Sequence, residues 1–400
     1  MTLLYAIAIA AIVAQIMFMD HVFCNYMYVI RKFNKNHELY RPRTSLIIPC
    51  KGIDTAFEKN ISSFYELDYN NYEIIFVTES SEDPAYSHLL ALKDKYKGRT
   101  KAFNTRVLVA GVENQGSQKL HNLLYACENV EKDVEIFAFA DSDACVRVNW
   151  LGELVYSLRK VYNGVASGYR WFIPMKNNLA TLALSVLNAK VAQLLGVTRF
   201  NQAWGGSMAV KVDVFKRLGM DKIWQKAISD DLTLSRMIKK SGLKVTFVPA
   251  CFVASYEQVS WPSFFEFARR QFIITRVTSP GVWWFGFLSC LYSILGLWGF
   301  AGVALYLWSK GNDKWYFFLI VSFLFFAAQF LRGIFRQNMI SRIFPADWPK
   351  MKVAAIADII GNPLWSWLMF FCILSSSFGR TIKWRGVRYK LTSPTETVRL

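Results

Sequence analysis

The sequence predicts an α/β domain on a mostly parallel sheet, with membrane helices on either side: one N-terminal and a C-terminal cluster. Three observations carry this. Short apolar runs alternate with amphipathic stretches through the middle of the chain, the pattern of repeated strand–helix units. Long apolar stretches lie at both ends. The 400 residues are 53% hydrophobic and only 19% charged, yet carry 47 Lys+Arg against 29 Asp+Glu, a net charge of +18. An average globular domain is about 45–50% apolar with glycine counted, and about 25% charged. A disordered chain would be apolar-poor. A nucleic-acid binder would gather its cations on one soluble face, whereas many of these flank apolar stretches, so no nucleic-acid partner is expected. Cationic cytoplasmic margins beside membrane segments account for both the oil and the charge.

The first element is a transmembrane anchor over residues 1–30. Leu3 to Met19 carries no charge, and Arg31, Lys32, Lys35, Arg41 and Arg43 follow the apolar stretch. A secretory signal has the opposite order, with its charge before the apolar core. Residues 40–280 then read as a water-facing enzyme domain. Its strands are Ser45–Pro49, Tyr72–Val77, Arg106–Ala110 and Glu135–Ala140, alternating with amphipathic stretches Phe57–Glu66, Ala85–Tyr96, Lys119–Glu128 and Asn149–Tyr162. Asn178–Val197 is a further amphipathic helix, of the core or of the bilayer interface.

Residues 281–378 form a C-terminal membrane region. Gly281–Trp308 and Trp315–Leu331 suit a helical hairpin, since roughly 17–25 apolar residues span a bilayer. Ala354–Phe378 contains Asp358 and the breaker run Gly361-Asn362-Pro363, which predicts a kinked or re-entrant path. Residues 379–400 are a basic tail with Arg380, Lys383, Arg385, Arg388 and Lys390. Basic residues after the first helix, around Arg332, Arg336, Arg342, Lys350 and Lys352, and in the tail place the enzyme domain in the cytoplasm. The seven cysteines show no C-x-x-C spacing, and the four histidines form no ligand motif, so neither a disulfide framework nor a zinc site is expected.

Ligands of such sheets bind at the carboxyl ends of strands. Glu79 to Asp83 follows the second strand, and Asp141-Ser142-Asp143 follows the fourth. Two carboxylates two residues apart can hold a hard divalent cation that also grips a diphosphate, or simply cap the next helix. Asp230-Asp231 opens another amphipathic helix, as a general base for an acceptor hydroxyl or as acids offsetting the helix dipole. Trp204-Gly205-Gly206-Ser207 suits either a close backbone approach to a ligand or a turn before a strand. Arg269-Arg270-Gln271 lies on an aromatic helix next to the membrane region, as a phosphate clamp or a lipid-surface anchor.

In this order the motifs resemble the large inverting family of nucleotide-sugar glycosyltransferases with a GT-A fold, which includes cellulose, chitin and hyaluronan synthases. The chain is most similar to its ceramide glucosyltransferase and hopanoid-biosynthesis branch. The residues that carry the resemblance are Ser45 to Gly52, Glu82 to Ala85, Gln118-Lys119 with Asn122-Leu123, Asp141-Ser142-Asp143, Gly205-Gly206-Ser207, Asp230-Asp231 and Trp384 to Leu391. It implies that Pro49, Lys51, Lys119 and Asp141 contact the nucleotide sugar, with Glu79 or Asp83 in the first acidic motif. It also implies that Asp143 ligates a Mg or Mn ion and that Asp231 is the catalytic base. Trp204, Gly205, Gly206 and Asp230 would face the acceptor. The family's Gln/Arg-x-x-Arg-Trp signature is degenerate here, and Arg269, Arg270 and Gln271 stand nearest to it. The implied reaction is inverting, metal-dependent transfer of a single sugar from a UDP-sugar to a membrane lipid. A processive polysaccharide synthase is the alternative, less favoured because the signature tryptophan is missing and the apolar spans are few.

Overall fold

The structure, a computed structural model, describes residues 1–400 except Asn34, Asn36 and Glu38. Strands β1 (Thr44–Pro49), β2 (Tyr72–Thr78), β3 (Asn104–Val109), β4 (Ile136–Ala140), β5 (Asn163–Pro174), β6 (Ser207–Lys211) and β7 (Lys244–Glu257) form one sheet in the order β3-β2-β1-β4-β6-β5-β7. Strand β6 runs antiparallel to both its neighbours; the remaining pairs are parallel. The central strands read as continuous apolar runs because both faces are covered. Leu46 and Ile48 of β1 and Ala138 of β4 pack beneath the helices Phe57–Tyr65, Pro84–Tyr96 and Trp150–Tyr156. Ile47, Phe137 and Phe139 point the other way, into the helices Gln118–Glu128, Met220–Trp224 and Asp230–Lys240. Each such buried side chain contributes roughly 1.5–3 kcal/mol.

The four strands and four helices expected from the sequence are all present, most within a few residues of their expected ends; the fourth helix stops at Tyr156, and a 3-10 turn carries the chain to Arg159. Strands β5, β6 and β7 are the additions. The β5–β7 pairing shifts register between Ser167 and Tyr169. There Gly168 is required, because a Cβ would overlap the Cys251 carbonyl and Ser207 Oγ.

Three helices are long and apolar enough to cross a membrane: Thr2–Lys32, Pro280–Ser309 and Trp315–Ile343. The second contains a π-helical turn, Leu295–Gly299, where Gly296 admits the Phe325 ring. The expected kink falls at Gly361-Asn362-Pro363: helices Trp348–Ile360 and Asn362–Ser375 meet there at 85°. The Leu179–Ala192 helix is a packed element, with Ala183, Leu184 and Ala189 buried against β5 and the apolar helices.

Two expectations change. Arg332 and Arg336 belong to the buried face of the Trp315–Ile343 helix, not to a solvated margin. Asp358 accepts from Arg336 Nη2 at 2.6 Å, from Arg336 Nε at 2.9 Å and from Gln337 at 2.7 Å. The charge that interrupts the third apolar stretch is therefore a partner for one on the Trp315–Ile343 helix. Arg342, Lys350 and Lys352 remain exposed. The basic tail is folded: β8 (Thr381–Trp384), β9 (Val387–Ser393) and β10 (Glu396–Arg399) form an antiparallel sheet. Ile382, Tyr389 and Leu391 face inward onto Ile228, Ile273 and Ile274, while Lys383, Arg388 and Lys390 alternate outward. A two-residue period thus gives the tail an apolar face that its charge concealed.

Candidate active site

The carboxyl end of β4 delivers Asp141, Ser142 and Asp143. Lys119, from the first turn of the Gln118–Glu128 helix, reaches Asp141 Oδ1 at 2.8 Å and Asp230 Oδ2 at 3.1 Å. Burial works against the Lys119 ammonium, but Asp141, Asp230 and Asp231 outweigh it and hold its pKa above the ordinary value. For Asp230, burial is the largest influence and pushes the carboxyl up to about 6, with Lys119 opposing and Asp231 and Asp141 adding to the rise. One ammonium thus ties β4 to the start of the Asp230–Lys240 helix.

That helix is capped by Ser229, whose Oγ accepts from Leu232 N at 3.1 Å. Asp231 accepts from Gly205 N at 3.1 Å and from Ser229 Oγ at 2.5 Å, which fixes its carboxylate against the Trp204-Gly205-Gly206 turn. The glycines there serve close approach: a Cβ on Gly205 would overlap Asp230 Oδ2, and one on Gly206 would overlap the Trp204 ring and Asp141 Oδ2. Trp204 is buried beside Tyr169 and under the Arg170 guanidinium. Arg170 also lies 3.5 Å from Asp143 Oδ2.

A cavity of about 1390 Å³ joins these groups. Pro49, Lys51, Lys119, Asp141, Asp143, Trp204, Gly205, Asp230, Asp231, Arg270 and Gln271 all line it. Its far walls are apolar, with Met17 and Phe18 from the first helix, Leu184, Leu187 and Val191 from the Leu179–Ala192 helix, and Val282 and Phe285. Four expected residues stand behind the wall, Gly206 of the turn among them. Glu79 pairs with Lys51 at 2.8 Å. Asp83 accepts from Gly52 N and Ala85 N, both at 2.8 Å, and so pins the loop after β1 to a helix start. Arg269, expected among the ligand contacts, donates to the Phe378 carbonyl and does not line the cavity.

A family model for glycosyl transferase family 21 matches residues 3–397. The chain belongs to that family. Among curated relatives it is 31% identical over 94 residues to a ceramide glucosyltransferase of Komagataella phaffii, and 33% over 84 residues to ceramide glucosyltransferase 3 of Caenorhabditis elegans. These matches span 22% and 19% of this chain and 18% of each relative. Among solved structures it is similar to the mannosyltransferase PcManGT from Pyrobaculum calidifontis in complex with GDP-Man and Mn2+. That pair shares 16% identity at a TM-score of 0.48, over 93% of this chain and 97% of that one.

The family 21 glycosyltransferase brings further residues to the site that local sequence did not mark. Arg170 lies mid-strand in β5, and Glu257 ends β7, where burial first and then Asp143 push its carboxyl up to about 7. Asp54 accepts from Ser142 Oγ at 3.2 Å, and Arg385 of the tail reaches the same carboxylate at 2.7 Å. Trp384 places its ring 5.6 Å from the Arg270 guanidinium, so a tail aromatic joins Phe267 of the arginine's own helix, whose ring lies at 5.5 Å. The Trp384–Leu391 motif was the only local signal for these tail contacts.

The acidic end suits a divalent cation. Asp143 Oδ1 is buried without a hydrogen-bond partner, and burial pushes the Asp143 carboxyl up to about 6, with Arg170 opposing and Asp141 and Asp54 adding. A buried carboxylate oxygen without a partner is costly, and a cation would relieve it. Among the described residues no group of three His, Cys, Asp or Glu side chains forms a complete ligand set. The arrangement therefore suits an ion shared with a ligand's own oxygens.

Proposed function

We propose that this family 21 glycosyltransferase transfers one sugar from a UDP-sugar to a hydroxyl of a membrane lipid, ceramide or a close analogue, with inversion at the anomeric carbon. The observation that carries this is the continuity of one cavity from the Asp141/Asp143/Asp231 cluster to the apolar helices. A polymer would need an exit path for a polar chain, whereas this wall of Phe18, Leu187 and Phe285 suits acyl chains. The short matches to ceramide glucosyltransferases favour the same acceptor class.

In this reading the domain has a GT-A-like fold and the nucleotide lies over the carboxyl ends of β1 and β4, near Lys51, Asp141 and Lys119. A divalent Mg or Mn ion at Asp143 and Asp141, when bound, supplies charge neutralisation for the diphosphate. Lys119 and Arg270 add fixed positive charge on the same side, where negative charge grows as the diphosphate departs. Asp231 accepts the proton of the lipid hydroxyl as that oxygen bonds to the anomeric carbon, the bond from that carbon to phosphate breaks, and UDP leaves. Holding the hydroxyl in line is the work of the turn at Trp204 and Gly205 together with the apolar wall.

The membrane segments orient this chemistry. Arg31 and Lys32 end the first helix and Lys35, Arg41 and Arg43 follow it, while exposed Arg342 ends the third and Lys350 and Lys352 follow, a distribution that favours the enzyme domain facing the cytoplasm and its soluble donor. Expression in a host lacking glycolipids, followed by mass spectrometry of extracted lipid, tests the proposal. The expected result is a new monohexosyl lipid, absent with Asp231→Asn. A ladder of long saccharides would overturn the lipid acceptor, and full transfer by Asp231→Asn would remove the base.

A further inference from the structure

We propose that Arg385, at the tip of the C-terminal hairpin, is a donor-binding residue that takes the diphosphate of the nucleotide sugar. The inference rests on the nucleotide-sugar reading of the cavity above.

The hairpin is held from both ends across the mouth of the site. Where it begins, Arg269 donates to the Phe378 carbonyl at 3.0 Å and Arg276 to the Ser377 carbonyl at 2.6 Å. Where it ends, Arg399 N donates to the Gln115 carbonyl at 2.9 Å, in the loop just before the helix of Lys119. Between these points Ile382, Tyr389 and Leu391 anchor the sheet on the Trp261–Thr278 helix. This clamping leaves one place for the tip, on the cavity wall beside Lys51, Asp54 and Asp143.

The tip itself is Arg385-Gly386, with φ of +48° and +84°. Two successive positive φ values are the geometry of a tight hairpin turn, for which Asn-Gly is the favoured pair. An arginine in the left-handed region is costly, and such strain persists where the side chain is needed. The side chain grips Asp54, with Nη2 at 2.7 Å and 3.0 Å from its two oxygens. It remains 47% exposed. Asp54 in turn accepts from Ser142, between the two carboxylates of the Asp141–Asp143 pair. The guanidinium is thus parked on a carboxylate beside the position expected for the diphosphate. A guanidinium matches phosphate oxygens in the same two-pronged way as a carboxylate.

Nucleotide binding to the full-length protein in nanodiscs with MnCl2, probed with UDP and UMP, separates this role from a structural one. Arg385→Asn removes the guanidinium but supplies the residue that the turn prefers, so the melting temperature should hold or rise. Its affinity for UDP should fall roughly tenfold or more, the scale of a lost charged hydrogen-bond pair. UMP, lacking the second phosphate, should change much less. Arg385→Lys should recover part of the UDP affinity. Unchanged UDP affinity in Arg385→Asn, or equal losses for UDP and UMP, overturns the proposal. Failure of the unaltered protein to bind UDP at all would overturn the UDP-sugar reading beneath it, which is a different outcome.

Discussion

Replacing Lys119 by methionine keeps the length of the stem and removes the charge between Asp141 and Asp230. At the observed separations of 2.8 Å and 3.1 Å the gross attraction is large. It is roughly 5–6 kcal/mol per contact at an effective dielectric of 20. Desolvation offsets most of that, so the expected net loss is the penalty of leaving a buried charge unpaired, roughly 3–5 kcal/mol. The low end of that range applies because Lys119 and Asp141 keep 17% and 24% of their side-chain surface exposed. The loss depends on pH. The Asp230 carboxyl already stands at about 6 with the lysine present, above its ordinary 3.8. The cost of ionising it in the fold therefore appears as pH rises through that window. Without Lys119 the carboxyl moves higher still, and the cost at neutral and alkaline pH grows. Thermal melting of both proteins in detergent at pH 5 and pH 8 reads this directly. The variant should melt lower at both, with the larger deficit at pH 8. Equal melting temperatures, or a larger deficit at pH 5, would refute the reasoning.

Two further outcomes concern stability. Arg336→Met alone strands Asp358 within the helical bundle, where both side chains are 1% exposed, and should cost roughly 3–5 kcal/mol. The double variant Arg336→Met with Asp358→Leu should recover most of it, and a double variant melting as low as the single one would count against the pair. Glu153 is held at about 7, chiefly by burial with Arg147 opposing, and its neighbour His37 is disfavoured as a cation by burial and by Lys35, Lys32 and Arg159. Its folded pKa lies above its ordinary 4.5, so the stability it contributes is present below that value and is lost as pH rises through about 7. The melting advantage of Glu153→Gln over the unaltered protein should accordingly widen from pH 5 to pH 8, and a constant difference would refute it.

The legible part of the protein was what short-range pattern encodes. Four doubly buried or half-buried strands announced themselves as apolar runs, and their helices as amphipathic stretches, because burial on a regular element imposes its period on the sequence. The strand-end rule also pointed to Asp141 and Asp143, and the helix start to Asp231, and all three line the cavity. The same local logic misread charge. Arg332 and Arg336 look like a basic margin until Arg336 meets Asp358 and Gln193 and Arg332 comes to lie over the Phe18 ring. Arg269, one residue from Arg270, faces the linker before the tail, since neighbours on a helix point about 100° apart.

Composition and periodicity by themselves determined an oily, basic chain with apolar helices at both ends and an α/β domain between them. Those properties are additive along the chain or repeat within a few residues. The tertiary structure alone decided which charges meet. Arg385 grips Asp54 across 331 residues, and Trp384 meets Arg270 from the far end of the chain. Such pairings depend on how the tail sheet seats its apolar face on a helix, a fit of surfaces that no local pattern records. The +18 charge is thus partly a membrane margin and partly the wiring of the site itself.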